Sequence, residues 1–191
     1  MNHYLQGKML IAMPGLVETT FAGSVVYLCA HSAEGAMGLI INKPMADMNF
    51  MELAGRIDLA KTPPEIAESL SQMPVHLGGP VEQQRGFVLH SGEYDGGDGS
   101  VRVNRDFALT ATIDILQDMA RGKGPSRALL ALGYSGWSPG QLESEIKHNG
   151  WLHCEASSRI IFANDAGAKY KLALKQLGVD PAMLSSTAGH G

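Results

Sequence analysis

Short apolar runs, each interrupted by glycine or proline, dominate the hydrophobic pattern of this chain. Runs of this length that are rich in β-branched and aromatic residues are typical of β-strands. A four-residue turn, 32–35, separates two of them and predicts a hairpin, and the acidic loop 92–100 predicts a second hairpin. Strands are predicted on this basis at 8–14, 24–31, 37–42, 74–77, 85–90, 101–104, 127–133, 151–155 and 159–162.

Apolar residues at helical spacing, together with residues that start and stop helices, predict five helices. The clearest start is at Ser138, which can cap, with Pro139 at the first helical position and Gln141 placed to complete a capping box. Loss of such a cap in Ser138→Ala should cost about 0.5–2 kcal/mol. The helices are predicted at 49–54, 63–70, 110–120, 139–149 and 164–177. Asn49 and Asn164 are the predicted caps of the first and the last of them, and Gly150 and Gly178 are the predicted stops of the last two.

The order of these elements predicts the fold class. Most strands come early and are joined by hairpins, whereas helices are interspersed later, which favours a mixed, largely antiparallel α+β core over a doubly wound parallel sheet. A length of 191 residues suits one domain, and no linker, repeat or low-complexity block divides the chain. We therefore predict a single domain at 1–185, followed by a disordered tail at 186–191.

Charge and cysteine content narrow the partners and the compartment. The net charge is −4 and there is no cluster of Lys and Arg, so we expect no direct DNA binding. Cys29 and Cys154 lie in separate apolar runs and form no CxxC pair, which favours buried free thiols in a reducing compartment. The N-terminus does not resemble a signal peptide and no apolar run could span a bilayer, so we expect a cytoplasmic protein with no membrane partner.

Glycine-marked strand ends supply the candidate binding site. Glycine lets the backbone approach a ligand closely, aromatic rings offer stacking faces, and an arginine offers a fixed cationic fork. Each position also has a structural interpretation, in which the glycines are tight turns and the tryptophan belongs to the core. We expect the strand ends near 42, 78–81 and 133–137 to meet in one polar groove. Its candidate ligand-binding residues are Asn42, Lys43, Gly78, Gly79, Arg85, Tyr134 and Trp137.

The sequence contains no recognisable catalytic or metal-binding motif. The segment 133–137 superficially resembles a nucleophile elbow, but Trp137 stands where that motif needs glycine two residues after Ser135. The histidines show neither HxH nor HExxH spacing, and the loop 95–100 lacks the ligand pattern of an EF-hand. We therefore assign no catalytic residue, no metal and no cofactor.

Several separated motifs resemble those of the YqgE/AlgH family of bacterial proteins. They are the segments 35–44, 78–81, 85–90 and 132–137, supported by 140–143 and 149–152, and the resemblance runs from Gly7 to about Ser185. It implies a branched mixed sheet with a small barrel-like portion, surrounded by helices. It implies no established enzymatic activity, although some members are labelled transcriptional regulators.

Three functional hypotheses remain open at this point. The first is a non-enzymatic module that holds a small molecule or a peptide of a protein partner in the groove. The second is an enzyme that uses the same groove, which requires a strongly perturbed titratable residue there, with His76 or His90 as candidates. The third is a transcriptional regulator, which the missing basic cluster restricts to acting indirectly through a partner.

Overall fold

The computed structural model describes residues 3–16, 20–55 and 61–184. Ten strands are present in this part of the chain: β1 (Lys8–Ala12), β2 (Val25–Ser32), β3 (Gly35–Ile40), β4 (Pro44–Asn49), β5 (Pro74–Leu77), β6 (Val81–Ser91), β7 (Ser100–Arg102), β8 (Phe107–Thr110), β9 (Ala128–Trp137) and β10 (Trp151–Glu155). The α-helices are α1 (Phe50–Leu53), α2 (Pro64–Ser71), α3 (Ile113–Ala120), α4 (Gln141–Lys147), α5 (Ser158–Ile161) and α6 (Lys169–Gln176).

The strands form one branched sheet that curls into half a barrel. Its main path runs in the order β10-β1-β2-β3-β9-β6-β8-β7, and every neighbouring pair on this path is antiparallel. The branch consists of β5, which runs parallel to β9, and β4, which pairs with β5. The predicted α+β class, with a mixed and largely antiparallel sheet, is therefore confirmed.

Both faces of the sheet are covered, which explains why its central strands are apolar without alternation. In β1, Met9 and Ile11 enter one apolar cluster, whereas Leu10 and Ala12 enter a second cluster on the other face of the sheet. Helices α5 and α6 pack into the first cluster, and α4 packs into the second through Leu142. Helices α1, α2 and α3 pack against β5 and the part of β9 beside it.

Strand β9 connects the parts of the sheet. Its first half pairs with β5 and β6, and its last residues pair with β3. The sequence predicted that this strand ends at Gly133 and gives way to a loop, but the strand continues to Trp137. Gly133 adopts a φ of +73°, which glycine tolerates and which bends β9 between its two sets of partners.

Three other sequence predictions need correction. The segment predicted to form a hairpin with 85–90 is β7, which pairs with the unpredicted strand β8 instead. The segment 159–162 was predicted as a strand, but 158–161 is the helix α5, whose isoleucines pack into the core. Asn164 caps no helix, because a 3-10 turn at Ala166–Ala168 leads into α6.

The start and stop of α4 also differ from the prediction. The helix begins at Gln141, and Gly140 precedes it with a φ of +76°. The Ser138 hydroxyl makes no capping bond, so only the reciprocal half of the box forms: the Ser138 N–H donates to Gln141 Oε1 at 2.9 Å. Asn149 rather than Gly150 takes the left-handed conformation after the helix. The tail predicted at 186–191 lies outside the described residues.

Candidate functional site

An open cleft of about 800 Å³ is lined by strands of the half-barrel, and we call it the half-barrel cleft. Its floor is mostly apolar and comes from β2, β3, β6, β8 and β9. Polar groups of Asp98, Thr112 and Ser138 stand at its edge. The side chains that define it are Met37, Arg85, Phe87, Leu109, Tyr134 and Trp137. A cleft of this size, with an apolar floor and a few polar groups, is typical of sites for small organic ligands.

Arg85 and Tyr134 meet in this cleft through the ring of Phe87. The guanidinium carbon of Arg85 lies 5.1 Å from the centroid of that ring, and the Tyr134 ring packs edge-on against it at 5.9 Å. Arg85 remains exposed, and its nearest carboxylate is that of Glu82, with a nitrogen–oxygen distance of 3.3 Å. An exposed pair of this kind is weak, so the guanidinium is able to exchange this partner for an anionic ligand.

Trp137 belongs chiefly to the core. It is 6% exposed, and its indole N–H donates to Glu145 Oε2 at 2.6 Å. The Trp151 N–H donates to the same oxygen at 3.2 Å, and Phe21 stacks on the Trp137 ring at 6.0 Å. Trp137 therefore belongs to the core and also lines one edge of the cleft from a fixed position.

The remaining four candidate residues do not line the half-barrel cleft. Both polar atoms of the Asn42 side chain bind backbone groups. Its Oδ1 accepts from Val25 N–H and its Nδ2 donates to the Gly23 carbonyl, both at 2.9 Å. The Lys43 ammonium donates to the Thr20 carbonyl at 2.6 Å, and burial lowers its pKa. These two side chains hold the start of β2.

Gly78 and Gly79 pack closely against the backbone of β9. The Gly78 carbonyl accepts from Ile40 N–H at 2.8 Å and from the Ser135 hydroxyl at 3.1 Å. A Cβ at Gly78 would lie 2.3 Å from the Gly133 carbonyl oxygen, and one at Gly79 would lie 2.1 Å from the Tyr134 carbonyl carbon. The three strand ends do meet, as the sequence predicted, and they meet by direct backbone packing.

A second cavity, of about 380 Å³, lies between α2, β5 and the segment that leads into α6. We call it the Lys169 pocket and define it by buried Lys169, His76, Leu129 and Ile161 and by exposed Gln72 and Asn164. Lys169 is 1% exposed, and its ammonium donates to the carbonyls of Ile41 at 2.8 Å and Ile161 at 2.7 Å. Burial lowers its pKa to about 8.

His76 lines the same pocket, whereas neither His76 nor His90 lines the half-barrel cleft. Burial and the nearby Lys169 lower the pKa of His76 to about 4, and burial also lowers the pKa of His90. Sequence analysis singled out His76 but missed Lys169. A lysine near the start of an amphipathic helix is usually solvated, and no local pattern indicates that this one is buried.

The described residues contain no group of three or more His, Cys, Asp or Glu side chains placed to hold a metal ion. Within the same ranges, no helix has the length and apolar character needed to cross a membrane. Both cysteines are buried free thiols, as the sequence predicted.

Comparison with known proteins gives matches along nearly the whole chain. The family model described as AlgH-like matches residues 9–182. A UPF0301 protein of Methylobacterium sp. (strain 4-46) is 52% identical over 189 residues, which cover 98% of this chain and 90% of that protein. A UPF0301 protein of Rhodopseudomonas palustris (strain HaA2) is 50% identical over 189 residues, covering 98% and 87%.

Two solved structures share the fold. The solution structure of the AlgH protein from Pseudomonas aeruginosa is 36% identical with a TM-score of 0.77, and the match covers 100% of this chain and 98% of that one. The crystal structure of a protein from Corynebacterium diphtheriae has a TM-score of 0.72 and covers 97% of this chain and 93% of that one. At 22% identity, this second match supports the fold alone.

Proposed function

We propose that this chain, which belongs to the AlgH-like family, is a non-enzymatic binding module and that the half-barrel cleft holds its ligand. The ligand is a small molecule or a peptide end that combines an apolar body with an anionic group. The observation that carries this proposal is the position of Arg85, a weakly paired cation at the rim of an apolar floor.

The chemistry of the cleft supports each half of this ligand. Met37, Phe87 and Leu109 give an apolar floor that favours aliphatic or aromatic groups, which gain free energy when they leave water. The Arg85 guanidinium offers a fork of N–H donors that matches a carboxylate, phosphate or sulfonate. Tyr134, held edge-on by Phe87, adds a ring face beside that fork.

An enzyme using this cleft is the less supported alternative. General acid–base catalysis needs a titratable group within hydrogen-bond reach of the substrate, and nucleophilic catalysis needs a nucleophile activated by a neighbouring base. No histidine is among the described residues that line the cleft, and the Ser135 hydroxyl is buried and donates to the Gly78 carbonyl. A regulatory role through a protein partner remains compatible with the binding proposal, because a peptide of that partner would occupy the same cleft.

We also infer a cytoplasmic location from the cysteines. Both are buried free thiols, and unpaired cysteines are typical of reducing compartments.

The proposal is tested with anilinonaphthalene sulfonate, whose aromatic body and sulfonate match the floor and Arg85. We expect saturable fluorescence enhancement with the wild-type protein and several-fold weaker binding to Arg85→Gln. Arg121→Gln is the matched control, because its side chain is similarly exposed (65% against 54%) but lies outside the cleft.

A second variant fills the cleft without straining the backbone. A Cβ at Gly136 would meet only ordinary contacts, at 3.5 Å from Tyr134 and 3.9 Å from Val81, so Gly136→Leu should fold normally and block the probe. If Arg85→Gln and Gly136→Leu both bind the probe as tightly as the wild type, the half-barrel cleft is not the binding site.

A further inference from the structure

The Lys169 pocket is separate from the half-barrel cleft, because the two share no lining residue. Its mouth is polar and exposed, with Ser69, Gln72 and Asn164, whereas the charged and titratable groups lie on its buried floor. A cation that has been removed from water is costly unless an anion or several hydrogen bonds compensate for it. The contacts on this floor therefore indicate what the pocket is built to hold.

One N–H donor of the Lys169 ammonium has no acceptor within the described part of the chain. An ammonium carries three donors, and the Ile41 and Ile161 carbonyls accept two of them. No carboxylate forms an ion pair with Lys169 within the described residues. The floor of the pocket therefore presents a positive charge whose counterion the neighbouring protein does not supply.

His76 offers the pocket a hydrogen-bond acceptor, whereas Lys169 offers a donor. Its Nδ1 lies 3.1 Å from the Leu130 carbonyl oxygen, which only accepts, so Nδ1 carries the ring proton. In a neutral ring this leaves Nε2 as an acceptor, and no donor in the described part of the chain reaches it. His76 is 5% exposed and lines the pocket, and its Nε2 is not completely shielded from solvent.

We propose that the Lys169 pocket binds a hydrogen-phosphate group, with a phosphate oxygen accepting from Lys169 and the P–OH donating to His76 Nε2. A fully deprotonated oxyanion of the same size satisfies Lys169 but directs a lone pair at the lone pair of Nε2. A site built around such a donor–acceptor pair discriminates strongly against the analogue that lacks the proton. Sulfate, which carries no proton at neutral pH, is that analogue. This site lies outside the proposed ligand cleft and stands independently of it.

The experiment is a calorimetric titration of the wild-type protein with inorganic phosphate at neutral pH, in a buffer free of other oxyanions, followed by the same titration with sulfate. We expect saturable phosphate binding and at least about tenfold weaker binding of sulfate, as expected for an unmade hydrogen bond at a charged group. Titrations with methyl phosphate and with inorganic phosphate at about pH 5.5 identify the source of the group, because below its second pKa of about 6 the ester keeps the P–OH that His76 Nε2 requires. Binding of both phosphates supports a phosphate ester as ligand, and binding of inorganic phosphate alone supports the free ion.

Two variants separate the two contacts. In His76→Asn the amide nitrogen replaces Nδ1 as the donor to the Leu130 carbonyl, while the Nε2 acceptor is lost. We expect phosphate affinity to fall about tenfold or more, whereas sulfate, which loses only the repulsion between lone pairs, should bind at least as tightly as before. Lys169→Met should abolish binding of both anions, whereas Lys171→Met removes an exposed charge from the same helix and should change neither.

Thermal melting of each variant shows whether it is folded. If Lys169→Met does not fold, the His76→Asn variant and the sulfate comparison still decide the outcome. Absence of saturable phosphate binding to the wild type, equal affinity for phosphate and sulfate, or undiminished phosphate binding to His76→Asn would each overturn the proposal.

Discussion

At the scale of single residues, the imidazole of His76 couples the stability of this protein to pH. Its pKa is lowered from 6.5 to about 4 by burial and by the charge of Lys169. The folded state therefore holds this ring neutral at pH values at which the unfolded chain would protonate it. Among the described residues, Lys169 on α6 is the charged group that lowers the pKa of His76.

The sign of the effect follows from proton binding. Between about 4 and 6.5 the unfolded state binds more protons at this position, so the free energy of unfolding falls as the pH is lowered through that window. The full pKa shift corresponds to roughly 3 kcal/mol in the free energy of unfolding.

Urea unfolding across this pH range should show this loss of stability, and His76→Asn should make the free energy of unfolding depend less steeply on pH. Burial also lowers the pKa of His90, so part of the slope should remain. An identical pH slope in wild type and His76→Asn would contradict this assignment.

At the scale of elements, short-range signals predicted those features that depend on neighbours in sequence. Asn49 caps α1 with a complete capping box, because its partner Glu52 is three residues away. The β2–β3 hairpin forms around the predicted turn. In contrast, α5 has the composition of a strand, and burial of Ile160 and Ile161 against distant residues outweighs that local preference.

The start of α4 gives a prediction at this scale. The Gln141 side chain accepts from the Ser138 N–H, whereas the Ser138 hydroxyl caps nothing. We therefore expect Ser138→Ala to change the free energy of unfolding by less than about 0.5 kcal/mol, and Gln141→Ala to lower it by roughly 0.5–1.5 kcal/mol. Denaturant titration of both variants measures the difference. A larger loss for Ser138→Ala than for Gln141→Ala would restore the serine cap that the sequence suggested.

At the scale of the whole molecule, the glycine motifs let the strands of the branched sheet pack closely against one another. The sequence predicted that 78–81 and 133–137 come together, and the structure brings them together through the bend in β9. Whether glycines at strand ends approach a ligand or another strand depends on long-range pairing, which the residue pattern does not specify. Arg85 and Tyr134 could be predicted as residues of one cleft from their strand ends. In contrast, Lys169 and His76 are 93 positions apart, and no sequence pattern predicted that they line one pocket.

Gly78 tests this account of the sheet. A methyl group added there would lie 2.3 Å from the Gly133 carbonyl oxygen and 3.1 Å from Leu39, so backbone would have to move where β5 and β9 converge. Its φ is not in the left-handed region, so the cost of Gly78→Ala is steric rather than conformational. We expect a loss of about 3 kcal/mol or more in the free energy of unfolding, at the upper end of overpacking penalties.

Gly15→Ala is the matched control, because nothing lies within 4 Å of its added Cβ and its φ is also ordinary. This variant should change stability by no more than about 0.5 kcal/mol. Urea unfolding of the two variants, followed by tryptophan fluorescence, separates close packing from a general sensitivity to glycine replacement. Because Trp137 lies at the far end of β9, displacement of Gly133 should also reach the edge of the half-barrel cleft. Equal stability of Gly78→Ala and Gly15→Ala would mean that the backbone of β5 and β9 can shift to accept a methyl group. Glycine at position 78 would then not be required for the close packing of these two strands.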